Sequence, residues 1–175
     1  AADNAYLDGD GDAPETCLER NPPSLVGAGF VEIVAREMSA ELQERRAAAL
    51  TAAKDTGRLE RRRLSAKGVS FGVLTARPDG SIDTSEVAGV DEDLVVKPFG
   101  WKGTAATLRE IVEDELALHH GMQSDHLVAN ADPDQIGTFD APDPDGDGVI
   151  SEVSEGQITA LTLYLALQEV PRVEV

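Results

Sequence analysis

The strongest local chemistry in the sequence is a run of alternating carboxylates in the stretch 143–152. Carboxylate oxygens at every second position, followed by a glycine that permits a sharp turn, can surround one cation. Calcium takes six to eight such oxygens at about 2.3–2.6 Å, and a backbone carbonyl after the glycine adds one more. The pattern therefore predicts a calcium site whose ligands are Asp143, Asp145, Asp147, the carbonyl of Val149, and Glu152.

The end of this loop departs from the twelve-residue EF-hand. Position twelve, counted from Asp143, is Ser154, where a standard loop carries a bidentate Glu. Acids fall instead at Glu152 and Glu155. We expect a shortened, EF-hand-like loop closed by Glu152, without pairing to a second EF-hand. The alternative is a solvated acidic turn that binds no ion.

A second stretch near the start of the chain repeats the alternation. Asp8, Asp10 and Asp12 are spaced in the same way, and Glu19 falls at position twelve counted from Asp8. Position six is Ala13 instead of Gly, so this match is weaker. It predicts a second calcium site or, alternatively, a flexible acidic terminus. Both loops favour a calcium-rich compartment, so we expect a secreted protein that is periplasmic or extracellular.

Histidine and methionine side chains cluster where a predicted helix over 104–120 ends. His119 has the spacing of the apolar face that contains Leu116, and His120 and Met122 follow at once. His and Met are common axial ligands of haem iron. The ordinary alternative is that the histidines complement a helix C-terminus and that the methionine fills a gap in the core.

Other chemical signals are weak. The sequence contains no G-x-S-x-G, no H-E-x-x-H and no phosphate-binding glycine loop, so no hydrolase signature is present. His126 lies in a polar stretch and is expected to be exposed. The basic run 61–63 reads as the surface of a strand or as a docking point for an acidic loop.

Composition limits the partners. The chain has 175 residues, a length that suits one domain, alone or with a short appendage. Its formal net charge of −18 argues against nucleic acid and anionic membranes as partners and favours cations, basic partners or a salty exterior environment. No apolar run approaches the length of a transmembrane helix. The single Cys17 excludes an internal disulfide, a cysteine-based zinc site and the C-x-x-C-H motif that attaches haem c. It leaves either an intermolecular disulfide or a buried free thiol.

The elements that position these residues follow from local signals. We expect an acidic loop segment over 1–24 and a single mainly helical domain over 25–175. Helix is predicted over 25–56, with Ser39 as the N-cap of a second segment and Gly57 as its end. A β-hairpin is predicted near 69–84 around a Pro-Asp-Gly turn, and a further short strand at 94–96.

Two later helices carry capping signals. Thr107 with Glu110 and Ser154 with Gln157 are capping boxes. The stretch 121–153 between these helices reads as loop. The predicted fold class is α+β, mostly helical, with a small hairpin and calcium-binding loops.

Several stretches together resemble the di-haem oxidoreductases described as putative peroxidases, relatives of the bacterial di-haem cytochrome c peroxidases. They occur in the family's order and cover about residues 20–170. The stretches are RNPPSLVGAGF at 20–30, DLVVKPF at 93–99, TLRE at 107–110, HHGMQS at 119–124, and the acidic loop at 143–152 followed by TALT at 159–162.

The resemblance implies a cytochrome-c-peroxidase-like fold in a secreted redox protein with two covalent haems. Family members carry one C-x-x-C-H before the Asn-Pro-Pro region and another after the final helix, and this chain resembles the segment between them. The resemblance makes Met122 an axial haem ligand with His120 beside it. It places Trp101 and Phe99 along the pocket or the electron path. Haem c would then be carried by a flanking or partner polypeptide.

Two functions follow from these observations. The first is a calcium-binding domain that contributes haem-pocket or ligand residues to an electron-transfer protein. The alternative is a haem-free, calcium-stabilised extracellular protein with a structural or self-assembling role. Catalysis by this chain alone is not expected in either case.

Overall fold

The computed structural model describes residues 25–100, 102–130 and 148–169. Four helices and one three-stranded antiparallel sheet make a mixed α+β protein, which confirms the coarse fold class. The predicted acidic segment 1–24, Trp101 and the stretch 131–147 lie outside the described residues. The elements are α1 (Ala28–Thr56), β1 (Glu60–Ala66), β2 (Val69–Ala76), β3 (Ile82–Val87), α2 (Leu108–His120), α3 (Asp125–Asn130) and α4 (Glu155–Ala166).

The first helix is continuous, so the predicted break at Ser39 is wrong. The Ser39 hydroxyl donates to the carbonyl of Ala35 at 2.8 Å and accepts from the N–H of Val96 at 2.9 Å. Because the hydroxyl is satisfied inside the helix, it does not act as an N-cap. The predicted end at Gly57 is confirmed, since that residue adopts the left-handed conformation with φ 64°.

The sheet has the order β1-β2-β3, and the hairpin predicted near 69–84 is its β2–β3 unit. The turn between them is closed by a hydrogen bond from Arg77 N–H to the Ser81 carbonyl at 2.9 Å. The basic run 61–63 lies in β1, as its strand-surface interpretation predicted. Arg61 on this surface pairs with Glu86 of β3 at 2.7 Å.

The main core lies between α1 and the sheet. Leu42 of α1, Leu64 of β1 and Leu74 of β2 are fully buried there, together with Leu94. The predicted strand at 94–96 is wrong, because Leu94 has a positive φ of 56° and the following backbone is bonded to Ser39. Its side chain therefore enters the core from a loop.

A second, smaller core joins the start of α1 to α2 and α4. It contains Ala28, Phe99, Ala105 and Leu108, with Ala166 packed against it. Phe99 is 8% exposed and is thus part of this core.

The capping box predicted at α4 is complete, whereas only half of the one predicted at α2 forms. At α2 the Thr107 hydroxyl accepts from Glu110 N–H, but the Glu110 carboxylate accepts from Ala106 N–H at 2.7 Å instead of from the cap residue. At α4 both halves of the Ser154–Gln157 box are present. The predicted loop 121–153 is wrong over 125–130, which forms α3.

Truncating the main core should destabilise the fold strongly. Leu74→Ala is expected to lower the free energy of unfolding by about 2–5 kcal/mol, since the side chain is fully buried and a cavity would remain. Urea denaturation measures this difference. Leu59→Ala is the control, because Leu59 is 55% exposed and should cost below about 0.5 kcal/mol. Equal losses in the two variants would contradict the assigned core.

Candidate functional site

The site begins where α2 ends. Gly121 terminates the helix with φ 66°, and its N–H donates to the carbonyl of Ala117 at 3.2 Å. The next N–H, that of Met122, donates to the carbonyl of Leu116 at 3.1 Å. The turn that carries Met122 is therefore fixed to the last turn of α2.

The end of the predicted calcium loop is bonded to this same turn. A carboxylate oxygen of Glu152 accepts from Gln123 N–H at 2.7 Å. The backbone then continues the contact, because Val153 N–H donates to the Gln123 carbonyl at 3.1 Å and Ser124 forms a parallel bridge with Val153. Gln123 and Ser124 are 1% and 2% exposed. The exit of the 143–152 loop is thus part of a buried hydrogen-bonded junction.

The start of α4 completes the junction. The N–H of Glu155 lies 3.4 Å from a carboxylate oxygen of Asp125, at the start of α3. The Glu155 carboxylate pairs with Arg109 of α2, which also donates to the Thr159 hydroxyl at 3.0 Å. Glu155 is therefore engaged with α2, which leaves Glu152 as the acid directed toward the turn after α2.

The structure describes part of the predicted calcium ligand set. Gly148 has φ 85°, the left-handed conformation that a sharp loop turn requires, Val149 is 51% exposed, and Glu152 is half-buried. Among residues 25–100, 102–130 and 148–169, no group of three or more acids, His or Cys lies close enough to hold a metal. The remaining predicted ligands lie outside the described residues, namely Asp143, Asp145, Asp147, Asp8, Asp10, Asp12 and Glu19.

The predicted haem-facing residues are presented at the surface. Met122 is 42% exposed, and His120 is also exposed. The prediction that His119 joins the apolar face is wrong: its side chain is 55% exposed and pairs with Glu115 one turn earlier at 3.0 Å. A glutamate four residues before a histidine lies on the same side of a helix and is close enough to pair with its ring.

A histidine–carboxylate pair was not predicted. His126 is exposed as expected, with 61% of its side chain accessible, but its Nδ1 lies 3.1 Å from a carboxylate oxygen of Glu113. Glu113 is only 7% exposed, and Arg109 lies 3.5 Å from its other oxygen. The spacing of four residues between Arg109 and Glu113 was a usable sequence signal. The contact between Glu113 and His126 had no such sequence signal.

The contact with Glu113 orients the ring of His126. A carboxylate that contacts Nδ1 is also the usual way in which metal-ligating histidines are oriented. Here the pair ties α3 to α2 beside the turn that carries Met122. The junction is thus held by side-chain contacts in addition to its backbone bonds.

Acidic crowding on α2 shifts one carboxyl group. Partial burial raises the pKa of Asp114 above its ordinary value, and the charges of Glu110, Glu113 and Glu115 add to the effect. Since the native state holds this proton more tightly than the unfolded chain, stability falls as pH rises through the native pKa and the full cost is present at neutral pH.

Removing that charge should therefore stabilise the protein only where Asp114 is ionised. Asp114→Asn is expected to raise the melting temperature at pH 7 by about 1–2 °C, a small value because the group is largely solvated. Near pH 3.5, below the ordinary carboxyl pKa of about 3.9, the advantage should vanish. Thermal unfolding at both pH values measures it. An equal advantage at both would assign the effect to packing instead of charge.

Comparisons with known proteins add no relative to this geometry: no family model, curated protein or solved structure matches the chain. Within the described ranges, no helix has the length and apolar character needed to span a membrane.

Proposed function

We propose that the chain is a secreted calcium-binding domain related to the central part of the di-haem peroxidase-like oxidoreductases. The observation that carries the proposal is the junction between the exit of the 143–152 loop and the turn after α2. A cation held by the loop would share Glu152 with the backbone of Gln123, next to Met122. Calcium binding and the placement of the proposed haem ligand would thus be coupled through one carboxylate.

The described residues of the loop fit a calcium site that closes early. Gly148 is left-handed at the position where the loop must turn. Glu152 directs one oxygen to Gln123 N–H, and a carboxylate has further lone pairs for a cation. The acids Asp143, Asp145 and Asp147 supply the other oxygens of the proposed site.

The haem part of the proposal concerns Met122. The residue is 42% exposed, so a haem held by another polypeptide would approach it from solvent. Thioether ligation by Met favours a redox role in electron transfer. The chain would hold this ligand on a fixed turn, with His120 two residues earlier. A flanking or partner polypeptide would carry haem c. We place such an assembly in the periplasm or outside the cell.

A variant at Glu152 separates the calcium role from the structural one. Glu152→Gln keeps an oxygen that can accept from Gln123 N–H but removes the charge that a cation requires. In EDTA its stability should match that of the parent within about 0.5 kcal/mol. In calcium at 100 times Kd, the parent should gain about 2.7 kcal/mol, and the variant should lose most of this gain. Thermal unfolding with and without calcium measures both quantities.

Glu155→Gln is the matched control. It removes the same charge three residues later, from an acid that pairs with Arg109. Its calcium-dependent gain should remain at the parent value. If EDTA leaves the melting temperature of the parent unchanged, the calcium site is refuted. If Glu155→Gln loses the gain and Glu152→Gln keeps it, the loop closes at the other acid.

The haem ligand is tested in the haem-bearing assembly isolated from the source. Met122→Leu, which preserves an apolar side chain of similar size, should abolish the low-spin haem spectrum. The chain has two methionines, and Met38→Leu is the control, because Met38 packs against the main core. An unchanged spectrum in Met122→Leu would refute the ligand assignment.

A second candidate function is a haem-free, calcium-stabilised extracellular structural protein. The apolar side chains exposed on α4 favour it, since they mark an interaction surface. An intact native mass of the protein from its source distinguishes the two. A haem-free species made of one or more copies of this chain, with only calcium bound, supports this candidate, and a species that contains haem supports the first.

A further inference from the structure

The surface formed by α4 and the start of α1 is apolar and nearly free of charge. From 156 to 168 no residue is charged, although 27% of the whole sequence is Asp, Glu, Lys or Arg. Only Ile158 of α4 is buried. The helix therefore turns most of its apolar surface to solvent, which is unusual for an amphipathic surface helix. The exposed members are Leu161 (38%), Leu163 (56%), Tyr164 (63%) and Leu167 (77%).

The first turns of α1 extend this surface. Phe30 is 63% exposed, and Ile33 is 53% exposed. The one charged residue between 25 and 35 is Glu32, and its carboxylate accepts from Leu108 N–H at 2.9 Å, toward α2. The exposed flank of this part of α1 is therefore as free of charge as the stretch 156–168.

The two helices meet closely, so their exposed residues form one surface. A methyl group on Gly29 would overlap the carbonyl of Ala166, and Gly27 N–H donates to the Gln168 carbonyl at 3.1 Å. Phe30 and Leu167 are each next to one of these contact residues in the chain. We call the exposed apolar residues of α4 and the start of α1 the α1–α4 face.

Within the described residues this face is open to solvent. An occupant that fits it presents an apolar and uncharged surface of its own.

We propose that the occupant is a second copy of this chain and that the α1–α4 face forms a two-fold dimer interface. With a net charge of −18, two copies repel each other through any surface that carries its share of acids. The α1–α4 face is the place where approach brings no like charges together. In a two-fold dimer the same patch contacts itself, so an apolar, uncharged patch is its own complement. This inference is independent of the calcium and haem proposals.

Sedimentation equilibrium of the full chain tests the dimer. It is run with a reducing agent, so that Cys17 cannot cross-link, and in both calcium and EDTA. Over a range of about 1–100 μM we expect a mass twice that of one chain. Raising the salt from about 0.05 to 0.5 M should strengthen association, because it screens the repulsion between acidic copies. A dimer held by ion pairs would weaken instead, which would overturn the proposed interface.

Two matched substitutions locate the interface. Leu163→Glu and Leu59→Glu each add one negative charge at leucines that are 56% and 55% exposed. Leu163→Glu should weaken dimerisation by about 100-fold or more, the effect of a charge in an interface centre, while Leu59→Glu should dimerise as the parent does. Circular dichroism checks that helix content is unchanged. Phe30→Glu, on α1, should weaken the dimer in the same way and decides the case if Leu163→Glu fails to fold.

Two results would overturn the inference. A parent chain that stays monomeric at the highest concentration in both salts would leave the α1–α4 face to a different polypeptide. Equal weakening by Leu163→Glu and Leu59→Glu would show that added charge, not this face, controls association. Since both calcium and EDTA are used, neither result depends on whether the chain binds calcium.

Discussion

The described structure depends on the burial of one side of α1. This helix has 29 residues, which corresponds to a length of about 43 Å. It contacts the sheet as well as the helices α2 and α4. Its later turns bury Leu42, Ala49 and Ala53 against the sheet, and its first turn buries Ala28 in the second core. Small side chains along this stripe allow the sheet and the other helices to approach closely. In the described structure, α1 is the helical partner of the apolar side of the sheet.

Polar contacts from the same helix fix the segments that no regular element holds. Ser39 accepts from Val96 N–H, so the loop that buries Leu94 is held against α1 without joining the sheet. Glu32 caps the start of α2 by accepting from Leu108 N–H. Both acceptors are half-buried, where a donor left without a partner would be costly. These two side chains therefore set where the loop and α2 lie relative to the core.

Features that depend on neighbouring residues were predictable from sequence. The end of α1 at Gly57, the turn between β2 and β3, and the Ser154–Gln157 capping box each follow from residues within a few positions of one another. The role of Ser39 was harder to predict, because one of the two hydrogen bonds of its hydroxyl is to a backbone group 57 residues away. The same holds for Leu94, whose side chain is drawn into the core from a left-handed backbone position.

The candidate site divides in the same way. The spacing of the acidic loop predicts Glu152 as its closing residue, which stays a prediction, whereas the contact of that carboxylate with the turn after α2 had no sequence signal. The pair between Glu113 and His126 was missed, since His126 was predicted to lie in a loop and a glutamate 13 residues before it shows no common period with it. Local spacing identifies which residues carry chemistry, whereas their partners are decided by how α2, α3 and α4 pack.

The packing between the exit of the 143–152 loop and the turn after α2 couples the positions of these two segments. The backbone after Glu152 is bridged to Ser124, and both Gln123 and Ser124 are almost fully buried. A displacement of the loop exit therefore has to move the turn after α2 with it or break buried hydrogen bonds, each worth about 0.5–1.5 kcal/mol. Met122 belongs to that turn. In the proposed function, a cation bound to Glu152 would restrict the position of Met122 without touching it. Binding at the loop and placement of the proposed ligand would then be linked through covalent and hydrogen-bonded structure.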